Sequence, residues 1–463
     1  MRRQVASIMA LVVMIALALT ACGPAATATP TMAPAPTEEP TMAEPTAEPT
    51  MAEPTEAPTE AATEPSMAAV DCMDAAQGDQ ISMMYQWSGA EEEKINSILA
   101  PFVNACGVQI VSESNRDDAV LDTRVNSQPP DVLFWANISP MNLYTDQLVD
   151  FNTLGVDAGN YPQFWQDLGT LDGSWLAIPV KADVKSIIWY SPAQFDAFGY
   201  TVPETLDDLN ALVEQMVADG NVPWSMGFES GSATGWTGSD FIQDLLLAQQ
   251  GPDYVNSIIS GDTPYNDAGV LQAYQQYAAW ASDPAYTVGG ATGTLTTPFL
   301  DAIYQVFSDP PQAMMVKQSG FAGGEIVAQY PDLEYGTDFD FFTFPGIQGV
   351  QGGADFMMVF NDSPAVRALV NYLTSEPGAV AWAEAGFDLT PNNMGVGHYP
   401  SDQVNKRAEI LANAEAFTPD MGDTIGAPFG DAEWQAIISA VQGDDIQAAL
   451  DTVATAQQEA LQE

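Results

Sequence analysis

Between residues 81 and 136 the chain alternates short apolar runs with helical patterns, and this alternation narrows the fold more than any other feature. ISMMYQW (81 to 87), VQIVSES (108 to 114) and DVLFWA (131 to 136) are apolar and short enough to be strands. Ile95, Ile98, Leu99, Phe102 and Val103 recur at helical spacing between the first two, behind Ser88-Gly89-Ala90-Glu91, which fits a capping box. A second helix carries Val120, Leu121 and Val125. Strand, helix, strand, helix, strand at this spacing predicts a parallel sheet, and such sheets bind ligands beyond the carboxyl ends of their strands. Those ends carry Trp87-Ser88-Gly89, then Glu113 with Arg116 nearby, and Trp135 followed by Ser139. Aromatic faces pack on the C–H faces of sugar rings, while carboxylates, amides and hydroxyls pair with ring hydroxyls, so the combination suits carbohydrate. A single tryptophan at a strand end is as readily a core residue.

Charge and composition exclude several classes. The chain has 463 residues, 46% of them hydrophobic, and sets 62 Asp plus Glu against 11 Lys plus Arg, a formal charge of −51. Such a surface repels phosphate backbones, which excludes nucleic acid as a partner. The charge reads as a solvated exterior and not as a metal store. The single histidine, His398, lies in the turn-rich NNMGVGHYPSD and reads as a surface residue, so multi-histidine metal sites have no basis. No phosphate loop and no strand-linked GxGxxG occurs, so no cofactor is expected.

The first seventy residues read as address and tether. Residues 1–21 begin with Arg2 and Arg3, continue through an apolar run from Val5 to Leu19, and form a signal peptide. Leu19-Thr20-Ala21-Cys22 resembles the bacterial lipobox, whose cysteine is lipidated and becomes the first residue of the mature protein; Cys22 would then hold the protein at the outer face of the membrane. Residues 22–70 repeat TMAEPT-like units without an aromatic side chain and are expected to form a disordered, extended tether. In an exported chain the two remaining cysteines tend to oxidise. Cys72 precedes the first strand and Cys106 follows the first helix, so a disulfide between them is expected, contributing about 3 to 4 kcal/mol.

PPDVLFWANISPMNLYTDQLVD and WLAIPVKADVKSIIWYSPAQFDAFGYTVPETLDDLNALVEQM resemble consecutive signatures of the extracellular solute-binding proteins of carbohydrate ABC importers, the maltose-binding-protein type. TGTLTTPFLDAIYQVFSDPPQAMMVKQSGFAGG and GIQGVQGGADFMMVFNDSPAVRALVNYLTSEPGAVAWAEAGFDLTPN are most similar to the α-glucoside-binding branch, and the likeness runs through nearly everything after residue 75. The resemblance implies an α/β, two-lobed periplasmic-binding-protein-like fold of type II, with two βαβ lobes and hinge closure on ligand. The first crossing is expected near Val180 to Ala182 and the return near Phe344 to Gly346. Lobe one would comprise 73–181 and 344–396, and lobe two 182–343 and 397–463, with Trp434, Ile437, Ile438 and Val441 on one helix face.

In GFESGSATGWTGSD (227 to 240) the resemblance places a second-lobe aromatic platform, Trp236, and an acidic hydrogen-bonding residue, Glu229. Asp240 either assists them or caps the helix FIQDLLLAQQ, and capping is the favoured duty. Phe321 in QSGFAGG matches a further aromatic, and Asp355 follows a glycine pair at a crossover; Lys181 or Arg116 would supply a basic group, and Asn392 and Asn393 are weaker candidates. The expected partners are a sugar and the ABC permease, the expected state a monomer. Two rival readings are a glycoside hydrolase using Glu229, Asp240 and Asp355 as paired carboxylates, and a glycan-binding adhesin with an exposed site.

Overall fold

The computed structural model describes residues 70–115 and 117–462. The segment expected to be a signal peptide, Cys22, the expected tether up to residue 69, and Arg116 lie outside the described residues.

Twelve strands follow the chain: β1 Gln80–Tyr85, β2 Gln109–Ser114, β3 Val132–Trp135, β4 Thr170–Leu171, β5 Ser174–Trp175, β6 Ile178–Ala182, β7 Ile187–Tyr190, β8 Met315–Lys317, β9 Asp340–Thr343, β10 Val350–Gly352, β11 Ala354–Val359 and β12 Phe417–Pro419. The first sheet has the order β2-β1-β3-β11-β6. Its first three strands are parallel, as the alternation predicts, while β11 runs antiparallel to both β3 and β6. Ile95, Ile98, Leu99 and Phe102 of the helix Ala90–Cys106 are buried against this sheet, as are Leu121 and Val125 of Asp118–Ser127. The first helix begins without the expected capping box. Gly89 occupies the cap position at φ 58°, and no side chain accepts from the free N–H groups there. By contrast, Thr205 and Asp208 form a reciprocal capping box at the start of Leu206–Ala218. Cys72 and Cys106 are bonded to each other, which ties the segment before β1 to the end of the first helix.

The second sheet is β8-β7-β9, in which β7 runs against both neighbours. Trp224 adds a single parallel bridge to Met315 at its edge. Ile188, Tyr190, Met315 and Phe342 feed a second core completed by the C-terminal helices Ala427–Gln442 and Ile446–Ala460, through Ile437, Val441, Leu450 and Val453. Trp189, Val316 and Phe341 face the other way, into the larger core that also holds the first sheet.

The passages between sheets are short. Residues 183–186 lead from β6 to β7, just beyond the expected stretch, because Val180 to Ala182 still pair within the first sheet. The return lies at Gln351 to Gly353 and not at Phe344 to Gly346, which the second lobe still holds: Phe344 N donates to Ser186 O and Gly346 N to Glu204 O. The two passages pair with each other, Asp183 N to Gly353 O at 3.1 Å and Lys185 N to Gln351 O at 2.8 Å. A third passage joins them where Ala182 and Leu389 exchange both backbone hydrogen bonds. No helix among the described residues is long and apolar enough to cross a membrane.

Candidate functional site

The carboxyl ends of β1, β3 and β6 and the start of β11 converge on the three passages, and this convergence defines one side of a cleft. Asp355 pairs with Lys181 in register, which sets both side chains at the rim. Lys181 Nζ sits 3.5 Å from Asp355 Oδ2, 3.3 Å from Asp388 Oδ2 and 3.5 Å from Glu91 Oε1, and 5.2 Å from the centre of the Phe387 ring. Burial opposes its charge, but these carboxylates outweigh burial and hold the ammonium above its usual value. Burial pushes Asp355 up, while Lys181 and the Trp87 indole pull it back.

Trp87 and Trp135 are not the open aromatic faces expected of them. Trp87 is buried among Tyr85, Phe134, Trp382 and Phe387, and its Nε1 donates to Asp355 Oδ2 at 2.5 Å. Its ring is thus covered, and its polar edge fixes the rim carboxylate. Trp135 is likewise buried, at the end of a strand whose four residues are all buried. Strand ends of a sheet covered on both faces bury large side chains as readily as they present them. Ser88 is exposed, Glu113 is paired with Arg124 at 3.2 Å, and Ser139 donates to Asn137 Oδ1 at 2.6 Å within its own turn. Asn392 is buried and caps the turn Asn393–Gly395, so its side chain is structural, while Asn393 and His398 are exposed.

The other side of the cleft carries its aromatics openly. Glu229 N donates to Thr297 O and Phe299 N donates to Glu229 O, which stitches the GFESG turn to the 297–299 segment. A side chain at Gly227 would meet the Thr297 and Pro298 carbonyls at 2.8 and 2.9 Å, so this close approach requires glycine. The helix then begins at Trp236, and Gly238 lets it approach Ile437. Trp236 lies 5.4 Å from Phe299 and 6.4 Å from Phe321, with Phe299 and Phe321 6.1 Å apart. Phe321 is 40% exposed, Trp236 is half-buried and Glu229 is exposed. The sequence gives no signal for Phe299, whose place in an amphipathic helix start, TTPFLDAIYQVF, reads as core.

Asp240 does not cap its helix. It lies within the helix, buried, with Oδ1 3.2 Å from Lys185 Nζ and 3.1 Å from Gln351 Nε2. Lys185 also reaches Asp420 at 2.8 Å, and the buried Lys317 pairs with Asp244 at 3.2 Å. Burial raises Asp240 to about 7 against the pull of Lys185 and Lys317, whereas Lys185 outweighs burial at Asp420 and holds it well below the usual carboxylate range. This ionic cluster therefore binds the first passage to the second lobe. Beside the return passage, Ala136, Asn137, Gly353, Asp420 and Asp423 line a cavity of about 60 Å³. A larger groove of about 790 Å³ lies elsewhere, between the β9–β10 connection and the helix Asp402–Asn413, and none of its lining residues is aromatic. No cluster of metal-ligating side chains occurs among the described residues.

Two sheets joined by paired short passages, with a cleft of aromatic and hydrogen-bonding groups between them, define a two-lobed binding protein that closes on a small solute. Residues 97–412 match the bacterial extracellular solute-binding proteins, and the chain belongs to this family. It is 32% identical over 389 residues to the osmoprotective compounds-binding protein GgtB of Synechocystis, covering 81% of this chain and 91% of that one. To the alpha-glucosides-binding periplasmic protein AglE of Rhizobium meliloti it is 32% identical, covering 79% and 84%. The bacterial solute receptor AcbH, described as exclusively preferring β-D-galactopyranose, shares the fold with a TM-score of 0.70 at 19% identity, covering 83% and 99%.

Proposed function

We propose that this protein captures a sugar or sugar-like polyol, of the α-glucoside class, in the cleft and delivers it to an ABC permease without chemical change. The observation that carries the reading is the open aromatic trio of Trp236, Phe299 and Phe321, set on the opposite lobe from the hydrogen-bonding rim of Lys181, Asp355 and Asp388. Stacking faces combined with paired donors and acceptors suit a hydroxyl-rich ring. The 32% identity to a protein named for α-glucosides and to one named for osmoprotective compounds supports the same class.

The hydrolase reading is disfavoured by the state of its carboxylates: Asp240 is buried against Lys185, and Asp355 is tied to Trp87 and Lys181. Lipidation at Cys22, the tether over 22–70 and a division into two lobes that crosses at 183–186 and returns at 351–353 belong to this proposal, as does action as a monomer. The test is a thermal-shift screen of maltose, trehalose, sucrose and longer α-glucosides, with amino acids and short peptides as controls. A micromolar ligand at millimolar concentration adds about 4 kcal/mol to native stability. A shift with one sugar class and no release of reducing sugar is expected; a shift with peptides alone overturns the carbohydrate reading.

A further inference from the structure

The chain has only 11 basic side chains, and among the described residues all but one are paired. Lys94 donates to the Gly386 carbonyl, and Arg124, Lys181, Lys185, Lys317, Arg367 and Lys406 each hold at least one carboxylate. The exception is Arg407, whose guanidinium makes no hydrogen bond or ion pair among the described residues although the residue is only 8% exposed, and whose Nε is sealed from water without a partner. In a protein with 62 carboxylates an unpaired buried cation is costly and easily avoided.

Its position explains what it is kept for. Arg407 projects from the helix Asp402–Asn413 and lies flat on Gly320; a β-carbon there would stand 1.6 Å from its Nη1. Gly320 precedes Phe321, the open aromatic of the second lobe. The carboxylates whose fields reach Arg407 are Asp388, at the Lys181 rim, and Asp183, in the first passage. The guanidinium therefore lies against the segment that carries Phe321, within the fields of the rim and of the first passage. Tyr399 and Tyr335 also face it, and burial holds it below its usual value against the pull of Asp388 and Asp183.

We propose that Arg407 is a ligand-binding, specificity-determining residue of the cleft, donating in bidentate fashion to two neighbouring hydroxyl oxygens of a neutral sugar ring stacked on Phe321. The assignment rests on the function proposed above. Guanidinium offers five donors in a planar fork and no acceptor, which fits a pair of adjacent oxygens. The negative surroundings from Asp183 and Asp388 disfavour an anionic ligand and favour a neutral one.

The test compares the full-length protein with Arg407→Gln, Arg407→Lys and Gly320→Ala, by calorimetric titration of maltose, trehalose and sucrose, with glucuronic acid as an anionic probe, and by melting without ligand. Arg407→Gln is expected to lower affinity for the bound sugar by 30-fold or more, Arg407→Lys by less, and Gly320→Ala to match the Gln variant by displacing the guanidinium. Without ligand, Arg407→Gln is expected to melt higher than the wild type, because an unpaired buried charge is gone. Sugar affinity within twofold of wild type, tighter binding of glucuronic acid than of the neutral sugars, or a lower ligand-free melting temperature overturns the assignment. If the wild type binds no sugar, the proposed function falls, and the ligand-free melt still decides whether Arg407 is held for a ligand or for the fold.

Discussion

The two walls of the cleft use the same residue types in opposite ways. On the first lobe the tryptophans are inside and the outer carboxylates of the rim are open: Trp87 and Trp135 are buried, while Glu91 and Asp388 reach outward beside the largely covered pair of Lys181 and Asp355. On the second lobe the charges are inside and the aromatics outside: Lys185, Lys317, Asp240 and Asp244 form buried pairs, while Phe321 and Trp236 keep open area. One wall is thus a polar surface backed by an aromatic core, the other an aromatic surface with ion pairs buried behind it. A ring presented between them meets directional bonds on one side and a stacking face on the other, which is how a cleft holds both faces of one solute.

The contrast breaks most severely if the ionic backing fails. Lys185→Ala leaves Asp240 and Asp420 buried without their cation and is expected to cost about 3 to 5 kcal/mol in denaturant unfolding. Trp87→Ala removes the aromatic backing of the first wall and is expected to cost about the same, 3 to 5 kcal/mol, by the same measurement, with loss of sugar binding following from the freed Asp355. Phe321→Ala sharpens the comparison from the other side. It is expected to weaken sugar binding by about 10- to 100-fold in calorimetry while moving the ligand-free melting temperature little, since 40% of the residue is already exposed.

The smallest effect is read in pH. Burial raises Asp240 to about 7 and Glu433, which accepts from Tyr265 and has a second oxygen without a partner, to about 8. A carboxyl with a native value above its unfolded value binds its proton more tightly when folded. Its stabilisation is complete below the unfolded value near 4 and is lost as pH rises to the native value. Asp420 has the opposite sign, but its depressed value places its loss in strong acid, outside this window. Melting temperature is therefore expected to fall from pH 5.5 to pH 8. Glu433→Gln is expected to flatten that slope and to add about 1 to 2 kcal/mol at pH 8; a steeper slope in the variant contradicts the account.

Periodicity and strand-exit position were legible from sequence; the direction in which a side chain points was not. The parallel strands β1 to β3 follow from the alternating pattern, and the family follows from blocks spread along the chain. Trp87 and Trp236 look alike in sequence, each beside glycine and serine, yet one is core and the other wall. The difference lies in what packs behind them, Trp382 and Phe387 in one case and Phe299 in the other, and those partners are far away in the chain. The sequence favours a cap at Asp240 over a place in the site for the same reason, since Lys185 and Gln351 reach it only in three dimensions. Arg407 carries one sequence signal, its rarity: in so acidic a chain each basic residue is a candidate for a specific task.

The contact of Arg407 with Gly320 also bears on how such a receptor can change over generations. A side chain can enter position 320 only after the one at 407 has shortened or left, and a shorter residue at 407 opens a hollow that only a larger neighbour at 320 fills. Each single step passes through a poorly fitting intermediate, so the two sites are expected to vary as a pair among relatives, and a library aimed at new ligands gains most by randomising both together.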